Sequence, residues 1–185
     1  MKKKVLIYVV AYNHEKFIEK TINRISDQVF QKYQTEILIS DDKSNDSTFN
    51  IIGNIKKNFN KDCKISILSN PVNQGYGGNQ KIGYFYAVKN NFDYVVLLHG
   101  DGQYAPELIE KLLENIQSDN AGAIFGSRMM DKGSALKGGM PVYKFIGNKI
   151  LTYFQNKFLK SNLSEFHSGY RSYKVSALRK KYTKV

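Results

Sequence analysis

Short, continuously apolar segments alternate with segments of helical spacing, and this alternation limits the fold of the chain more than any other feature. Residues 4–10 form a β-branched apolar run of the kind found in strands that are buried on both faces. Residues 14–29 follow with apolar side chains spaced as on one face of a helix. Four further strands are predicted, at residues 36–40, 64–68, 93–98 and 121–125. Further helices are predicted at residues 46–59, 81–89, 106–116 and 141–160. The pattern predicts an α/β fold, in which helices flank a mostly parallel sheet and the crossovers are right-handed.

The charge of the chain favours anionic partners. Its 28 Lys and Arg against 16 Asp and Glu give a net charge of +12, which would attract nucleic acid, phosphorylated substrates or an acidic membrane surface. Cys63 is the only cysteine, so an intrachain disulfide is excluded. No apolar run approaches the roughly 20 residues that span a bilayer, and the lysine-rich start after Met1 argues against a signal peptide. We therefore expect a cytoplasmic chain that does not itself span a membrane, although a spanning segment could follow Val185.

Polar clusters follow the predicted strands, at the edge of a parallel sheet where ligands bind. The cluster at residues 99–103 comes after the most apolar strand, and its Asp101 lies on a turn between Gly100 and Gly102. Such a carboxylate is well placed to hold a divalent cation that bridges the phosphates of a donor. The alternative is a turn residue without a ligand. Its position after a buried strand favours the functional interpretation.

Two other clusters bear on nucleotide binding. After the second strand, Asp41 and Asp42 can accept hydrogen bonds from a base or from ribose hydroxyls, whereas Asp46 or Ser47 is placed to cap the following helix. Residues 73–79 form a glycine-rich segment that could present backbone amides to phosphate. Because this segment matches neither the P-loop nor the dinucleotide fingerprint, a plain turn is the favoured interpretation.

Taken in order, the clusters resemble the domain of family 2 glycosyltransferases, which has the Rossmann-like GT-A fold. The most similar subgroup is that of the dolichyl- and polyprenyl-phosphate sugar synthases. The matching segments are Ala11-Tyr12-Asn13, Asp41-Asp42 with Ser44 and Asp46, Asp101-Gly102-Gln103, Gly126-Ser127-Arg128 and Ser168-Gly169-Tyr170-Arg171. The resemblance covers about residues 4–178. It implies that residues 1–185 form a single catalytic domain, truncated at its C-terminus relative to that subgroup.

The resemblance implies a role for each matched residue. The residues expected to bind the nucleotide-sugar are Ala11, Tyr12, Asn13, Asp41, Asp42, Gly77, Asp101 and Arg128. A divalent metal, Mn²⁺ or Mg²⁺, is assigned to Asp101, Gln103 and His99. Acceptor binding is assigned to Lys144 and Arg171, and catalysis to Asp101, Glu165 and Arg128.

Four positions depart from the pattern of the family. His99 replaces the first carboxylate of the usual Asp-x-Asp, and imidazole suits softer ions than Mg²⁺, which favours Mn²⁺. Val10 and His14 stand where proline and glutamate are usual. Glu165 replaces an aspartate, and its extra methylene shifts the carboxylate by about 1 Å.

The expected reaction moves a sugar, with inversion, from a nucleotide-sugar to a polyprenyl-phosphate or glycan acceptor, with UDP as the preferred nucleotide. Arg128, a metal and backbone amides would hold the charge of the leaving diphosphate. The lysine-rich aromatic helix at residues 141–160 is expected at a membrane interface, beside anionic headgroups. Its alternative is an ordinary helix that packs on the sheet. The protein is thus expected at the inner face of the membrane, peripheral or tethered.

Two other functions compete with this interpretation. The charge and the 13 tyrosines would suit a nucleic-acid-binding domain, but the aromatic residues fall at buried spacings and no RNP1 motif occurs, so no nucleic-acid partner is expected. A relative that binds a nucleotide-sugar without transferring it would explain His99.

Overall fold

The computed structural model describes residues 1–119, 121–127, 129, 134–137, 140–166 and 168–182. Six strands in this part of the chain form one sheet in the order β3-β2-β1-β4-β6-β5. The strands are β1 (Lys4–Ala11), β2 (Gln34–Asp41), β3 (Lys64–Ser69), β4 (Tyr94–His99), β5 (Ala123–Phe125) and β6 (Arg171–Lys174). The helices are α1 (Ile18–Asn23), α2 (Asp27–Lys32), α3 (Thr48–Asn58), α4 (Gly75–Lys89), α5 (Ile109–Ser118), α6 (Ser134–Lys137), α7 (Val142–Leu159) and α8 (Val175–Tyr182). The predicted α/β fold is confirmed.

Strand β1 is the centre of the sheet. It pairs in parallel with β2 on one side and with β4 on the other, and β2 pairs in parallel with β3. Seven successive residues of β1, from Val5 to Ala11, are buried. A strand covered on both faces needs apolar side chains at every position, which is why it is recognisable in the sequence.

Each face of the sheet carries its own apolar core. One includes Ile7 and Val9 of β1 and is covered by α1, α2, α3 and α5. The other includes Leu6 and Tyr8 of β1 and is covered by α4 and α8. Strand β6, antiparallel to β4, was not anticipated, because its four residues Arg-Ser-Tyr-Lys contain no apolar run.

Three helices differ from the predicted bounds. The helix predicted over residues 106–116 begins with a short 3₁₀ turn, Pro106–Leu108, and continues as α5 from Ile109 to Ser118. The helix predicted over residues 14–29 is divided into α1 and α2, because Ser26 adopts an extended conformation and its hydroxyl caps α2 by accepting from the Gln28 N–H. Helix α4 begins at Gly75 and not at residue 81. Its first turn contains three glycines, which have low helix propensity and hide the start of the helix in the sequence.

The chain divides into two compact units, residues 1–124 with 170–185, and residues 125–169. The first unit contains β1 to β4 and β6, and the second contains α6 and α7. The single catalytic domain over residues 1–185 remains a prediction. None of the helices in the described part of the chain combines the length and the apolar character needed to cross a bilayer.

Gly83 of α4 allows that helix to lie directly on the buried ring of Tyr8. A Cβ at this position would approach the Tyr8 ring to 2.2 Å. We expect Gly83→Ala to lower the free energy of unfolding by about 1–3 kcal/mol, as for other overpacked sites. Urea denaturation followed by circular dichroism measures this change.

The matched control is Gly53→Ala in α3, where a Cβ would meet nothing within 4 Å. There the better helix propensity of alanine should raise the free energy of unfolding by about 0.5–1 kcal/mol. Equal effects of the two substitutions would contradict the close packing of α4 on Tyr8.

Candidate functional site

A cavity of about 460 Å³ opens in the first unit, at the carboxyl ends of β1, β2 and β4. This is the edge of a parallel sheet at which α/β proteins bind their ligands. Its lining comes from these strand ends and from the start of α4, and consists of Val10, Ala11, Tyr12, His14, Asp42, Asn73, Gly75, Tyr76, Asn79, His99 and Asp101. Five of the predicted site residues, Ala11, Tyr12, Asp42, His99 and Asp101, therefore meet in one place.

The register of the sheet brings these residues to the same level. Ala11 lies opposite Asp41 in the β1–β2 pair, and Val10 lies opposite His99 in the β1–β4 pair. The ladder continues past the strand ends, where the Asp42 N–H donates to the Ala11 carbonyl at 2.8 Å and the Gly100 N–H donates to the Val10 carbonyl at 2.9 Å. The loops that follow the strands thus leave the sheet side by side.

The two adjacent carboxylates after β2 have different surroundings. Asp42 is 4% exposed, and its Oδ1 accepts from the Asn70 side-chain amide and from the Gln74 N–H, both at 2.8 Å. These bonds fix the carboxylate and tie the end of β2 to the segment before α4. Asp41 is also buried, but its carboxylate faces the Ser44 N–H at 3.3 Å and is not part of the cavity lining.

Asn79 is a residue of the lining that the sequence analysis did not identify. It is 2% exposed, and its Oδ1 accepts from the Tyr8 hydroxyl at 2.6 Å and from the Ser40 hydroxyl at 2.7 Å. Tyr8 and Ser40 belong to β1 and β2, so these bonds hold the first turns of α4 against the sheet beside the cavity. The only signal in the sequence was the glycine-rich segment in which Asn79 lies.

The turn after β4 depends on its glycines. Gly102 has φ +71°, a conformation that favours glycine. A Cβ at Gly100 would lie 2.8 Å from Nδ1 of His14. Between the glycines, Asp101 lines the cavity, and its Oδ1 accepts from the Gln103 N–H at 3.0 Å. The turn therefore holds one carboxylate at the cavity with little freedom for its backbone.

His99 lies in a row of aromatic rings. Its Nε2 is 3.1 Å from the Tyr76 hydroxyl, and its ring centroid is 5.0 Å from that of Tyr76 and 5.1 Å from that of Tyr104. Tyr104 in turn stacks on Tyr170 at 5.6 Å. Burial raises the pKa of Tyr76 to about 12, against the opposing effect of the Arg171 guanidinium, so its hydroxyl is neutral at physiological pH. The imidazole thus joins β4 to the first turn of α4.

His14 lies behind Gly100 in the wall of the cavity. In the described part of the chain its Nδ1 is buried without a hydrogen-bond partner. Burial lowers the pKa of His14, against the opposing effects of the Asp101 and Asp46 carboxylates. The neutral imidazole is therefore the favoured form in the folded protein at pH 7.

The donor atoms bear on whether a metal fits the cavity. Across the described ranges, no group of three or more His, Cys, Asp and Glu side chains is placed to hold a metal ion. Asp101 offers carboxylate oxygen, which suits Mg²⁺ and Mn²⁺, whereas His99 is engaged with Tyr76. The residues fit a cation that a bound diphosphate helps to ligate, and they do not form a site that is complete without it.

The other predicted site residues have different positions. Asn13 has φ +56°, and its side-chain oxygen accepts from the Asn45 N–H at 2.8 Å, which joins the loops after β1 and β2. Gly77 lies in the first turn of α4, next to Tyr76, and Gln103 is exposed. Neither Gly77 nor Gln103 lines the cavity, and their roles remain predictions.

Three predicted residues are not in the first unit or are not described. Glu165 belongs to the second unit, is 2% exposed, and accepts from the Asn148 side-chain amide at 2.9 Å. Lys144 lies on α7 of the same unit. Arg128 lies outside the described residues. The roles assigned to Glu165, Lys144 and Arg128 likewise remain predictions.

The sequence model described as Glycosyl transferase family 2 matches residues 6–181. The chain belongs to glycosyl transferase family 2. It is 28% identical, over 94% of its length, to the UDP-N-acetylglucosamine–dolichyl-phosphate N-acetylglucosaminyltransferase of Methanococcus voltae. It is 25% identical, over 95% of its length, to the undecaprenyl-phosphate mannosyltransferase of Micrococcus luteus. It spans 71% and 68% of the lengths of these relatives.

Solved structures confirm the fold. The mannosyltransferase PcManGT of Pyrobaculum calidifontis, solved with GDP-Man and Mn²⁺, matches 97% of this chain with a TM-score of 0.63 at 15% identity. The matched part of the present chain covers 47% of the PcManGT chain. At this level of identity the similarity concerns the fold alone, and it confirms the predicted GT-A architecture.

The buried imidazole of His14 should make stability depend on pH. Since its pKa is lowered by folding, the unfolded chain binds the proton more readily, and stability is lost as the pH falls below about 6.5. We expect His14→Gln to reduce the loss of unfolding free energy between pH 7.5 and 5.5. Urea denaturation at both pH values measures the free energy of unfolding of the wild-type protein and of the variant. An equal loss in the two proteins would show that folding does not lower the pKa of His14.

Proposed function

We propose that this family 2 protein transfers a sugar from a UDP-sugar to a polyprenyl-phosphate, with inversion and with the help of a divalent metal. The observation that carries the proposal is the cavity at the carboxyl ends of β1, β2 and β4, where Asp42 and Asp101 lie together with Tyr12. The named activities of the Methanococcus voltae and Micrococcus luteus relatives support a lipid-phosphate acceptor, and the first of them supports UDP.

The nucleoside part of the donor would lie against Tyr12 and Asp42. Tyr12 is 42% exposed, so its ring is available for contact with a base or ribose. Both hydrogen bonds recorded for the Asp42 carboxylate involve Oδ1, and within the described residues Oδ2 is the oxygen left for a ligand. A carboxylate oxygen accepts from a base N–H or a ribose hydroxyl, and in this buried setting the bond gains in strength.

The diphosphate would lie near Asp101. A carboxylate alone repels a diphosphate, so the proposal requires a cation between them. A bound divalent cation would neutralise the charge that develops on the leaving diphosphate. Arg128, which follows β5 in the sequence, is proposed to contact the same phosphates.

The acceptor determines whether a base is needed. An oxygen of the ionised lipid phosphate attacks the anomeric carbon, a new C–O bond forms, and the C–O bond to the diphosphate breaks and leaves its electron pair on the nucleoside diphosphate. Attack from the face opposite the leaving group inverts the anomeric configuration. No proton has to be removed, so the proposal assigns no base to this step. A hydroxyl acceptor would need a base, for which Glu165 is the candidate.

Calorimetric titration with UDP and with GDP, each with and without Mn²⁺, tests the donor site. We expect UDP to bind in the presence of Mn²⁺, and we expect Asp101→Ala to weaken this binding by about 10-fold or more, because the cation loses its carboxylate ligand. Asp62→Ala is the matched control, since Asp62 is exposed and lies outside the cavity lining. GDP, the nucleotide part of the GDP-Man in the PcManGT structure, tests the choice of base.

Tight binding of GDP in place of UDP would overturn the assignment of UDP as the donor nucleotide, but it would leave the proposed transferase activity standing. Binding of neither nucleotide by a folded sample would overturn the donor site as a whole.

His99→Asp tests how histidine at position 99, in place of the aspartate usual in the family, affects metal binding. A second carboxylate beside Asp101 should bind hard cations better than imidazole does, and we expect the Mn²⁺ concentration for half-maximal UDP binding to fall about 10-fold. The control is Tyr76→Phe, which keeps His99 but removes the hydroxyl 3.1 Å from it. An equal fall in both variants would show that release of the imidazole, and not the new carboxylate, is responsible.

The second candidate function is binding of the nucleotide-sugar donor without transfer of the sugar. It is favoured by the contacts of His99 with Tyr76 and Tyr104. The two candidates differ in one measurement. Radiolabelled sugar that passes from UDP-sugar to a short polyprenyl-phosphate supports transfer, whereas Mn²⁺-dependent UDP binding without any labelled lipid supports binding alone.

A further inference from the structure

Helix α7 turns its polar side inward, toward the residues that follow it in the second unit. The Asn148 side-chain amide donates to Glu165 at 2.9 Å, and the Thr152 hydroxyl, on a residue that is 7% exposed, donates to Asn148 at 3.1 Å. One turn later the Asn156 amide donates to the Leu163 carbonyl at 2.8 Å. The Asn156 side-chain oxygen accepts from the Leu163 N–H at 2.9 Å. These hydrogen bonds therefore hold the polar side of α7 against the segment that contains Leu163 and Glu165.

The opposite side of α7 is apolar and faces outward. Nine large apolar side chains of this helix are each more than half exposed: Val142, Tyr143, Ile146, Ile150, Leu151, Tyr153, Phe154, Phe158 and Leu159. At about 100° per residue, all of them except Leu159 fall on one half of the helix surface. We call this half the outer face of α7. Its polarity is the reverse of that expected for a helix on the surface of a protein surrounded by water.

The charge around the outer face has one sign. Residues 140–164, which include α7 and the segment after it, contain four lysines and no aspartate or glutamate. Counted around the helix, Lys144 and Lys149 lie at the two borders of the outer face. Lys157 and Lys160 lie at its C-terminal end, where their long side chains can carry the ammonium groups away from apolar neighbours.

We propose that the outer face of α7 is a membrane-docking surface, which lies in the interface of a bilayer that carries anionic lipids. Phe154, Phe158 and their neighbours enter the boundary between headgroups and acyl chains, and the lysines contact the anionic headgroups. The lysine borders without any acidic residue select an anionic lipid surface over an apolar protein partner, which would leave these charges uncompensated. The proposal concerns a different surface from the donor cavity, and its test uses no nucleotide.

A single tryptophan can report on this surface, because the chain contains none. Phe158→Trp places it on the outer face, at a position that is 83% exposed, and Phe85→Trp is the matched control on α4, at a position that is 49% exposed. Both variants are mixed with vesicles of phosphatidylcholine, with or without phosphatidylglycerol. We expect a blue shift of the emission for Phe158→Trp with the phosphatidylglycerol vesicles, reduced by salt, and none for Phe85→Trp.

The lysines are tested by a pair of double variants of equal net charge. Lys144→Gln with Lys149→Gln should weaken partitioning onto phosphatidylglycerol vesicles about 25-fold, since each lysine near an anionic surface contributes about 1 kcal/mol, or about fivefold. The control variant, Lys20→Gln with Lys56→Gln, removes two exposed lysines from α1 and α3. It should change the partitioning onto phosphatidylglycerol vesicles little.

Three results would overturn the proposal. The first is the absence of a shift for Phe158→Trp with anionic vesicles, and the second is an equal loss in the two double variants. The third is an emission of Phe158→Trp that is already blue-shifted in lipid-free protein, if light scattering shows that protein to be a dimer. This last result would mean that a second copy covers the outer face. Failure of UDP binding in calorimetry would leave the vesicle results unaffected, so the two proposals fail separately.

Discussion

The parallel pairing of β1 with β2 and β4 is the constraint on which the candidate site depends. The backbone ladders fix Ala11 opposite Asp41 and Val10 opposite His99, so three chain segments that are distant in sequence leave the sheet at one level. The apolar side chains of β1 are buried on both faces, and a shift of register would move them along the sheet together with every residue after the strand ends. The packing of the core and the geometry of the cavity therefore depend on the same strand register.

The acidic residues of the cavity lie in a strongly basic protein, and their surroundings differ. Asp42 is fixed by two amide donors, whereas Asp101 is held on a glycine-flanked turn, where its carboxylate accepts from the Gln103 N–H. The first arrangement suits a neutral hydrogen-bonding group such as a base or ribose, and the second suits a cation paired with phosphate. In the second unit, residues 140–164 contain four lysines and no aspartate or glutamate.

Much of the fold could be predicted because buried parallel strands have an unambiguous sequence pattern, and the polar clusters then follow from the rule on strand ends. Finer features depend on contacts between distant residues. The sequence could not show that Asp42 lines the cavity while Asp41 does not, since the position of the Asp42 carboxylate depends on the distant amides of Asn70 and Gln74. It gave no sign that Tyr8 would bond to Asn79, 71 residues away. The amphipathic spacing of α7 was visible, but not which side faces inward, because that depends on the bonds of Asn148 and Asn156.

The contact between Gly100 and His14 has a consequence for how sequences of this kind can change. A Cβ at position 100 would lie 2.8 Å from the imidazole Nδ1, 3.2 Å from the end of the Ile18 side chain and 3.3 Å from the Val10 carbonyl oxygen. Any side chain at position 100 therefore requires that the imidazole at position 14 shift or be replaced by a smaller residue. The coupling runs in one direction, because a smaller residue at position 14 would leave glycine at position 100 undisturbed.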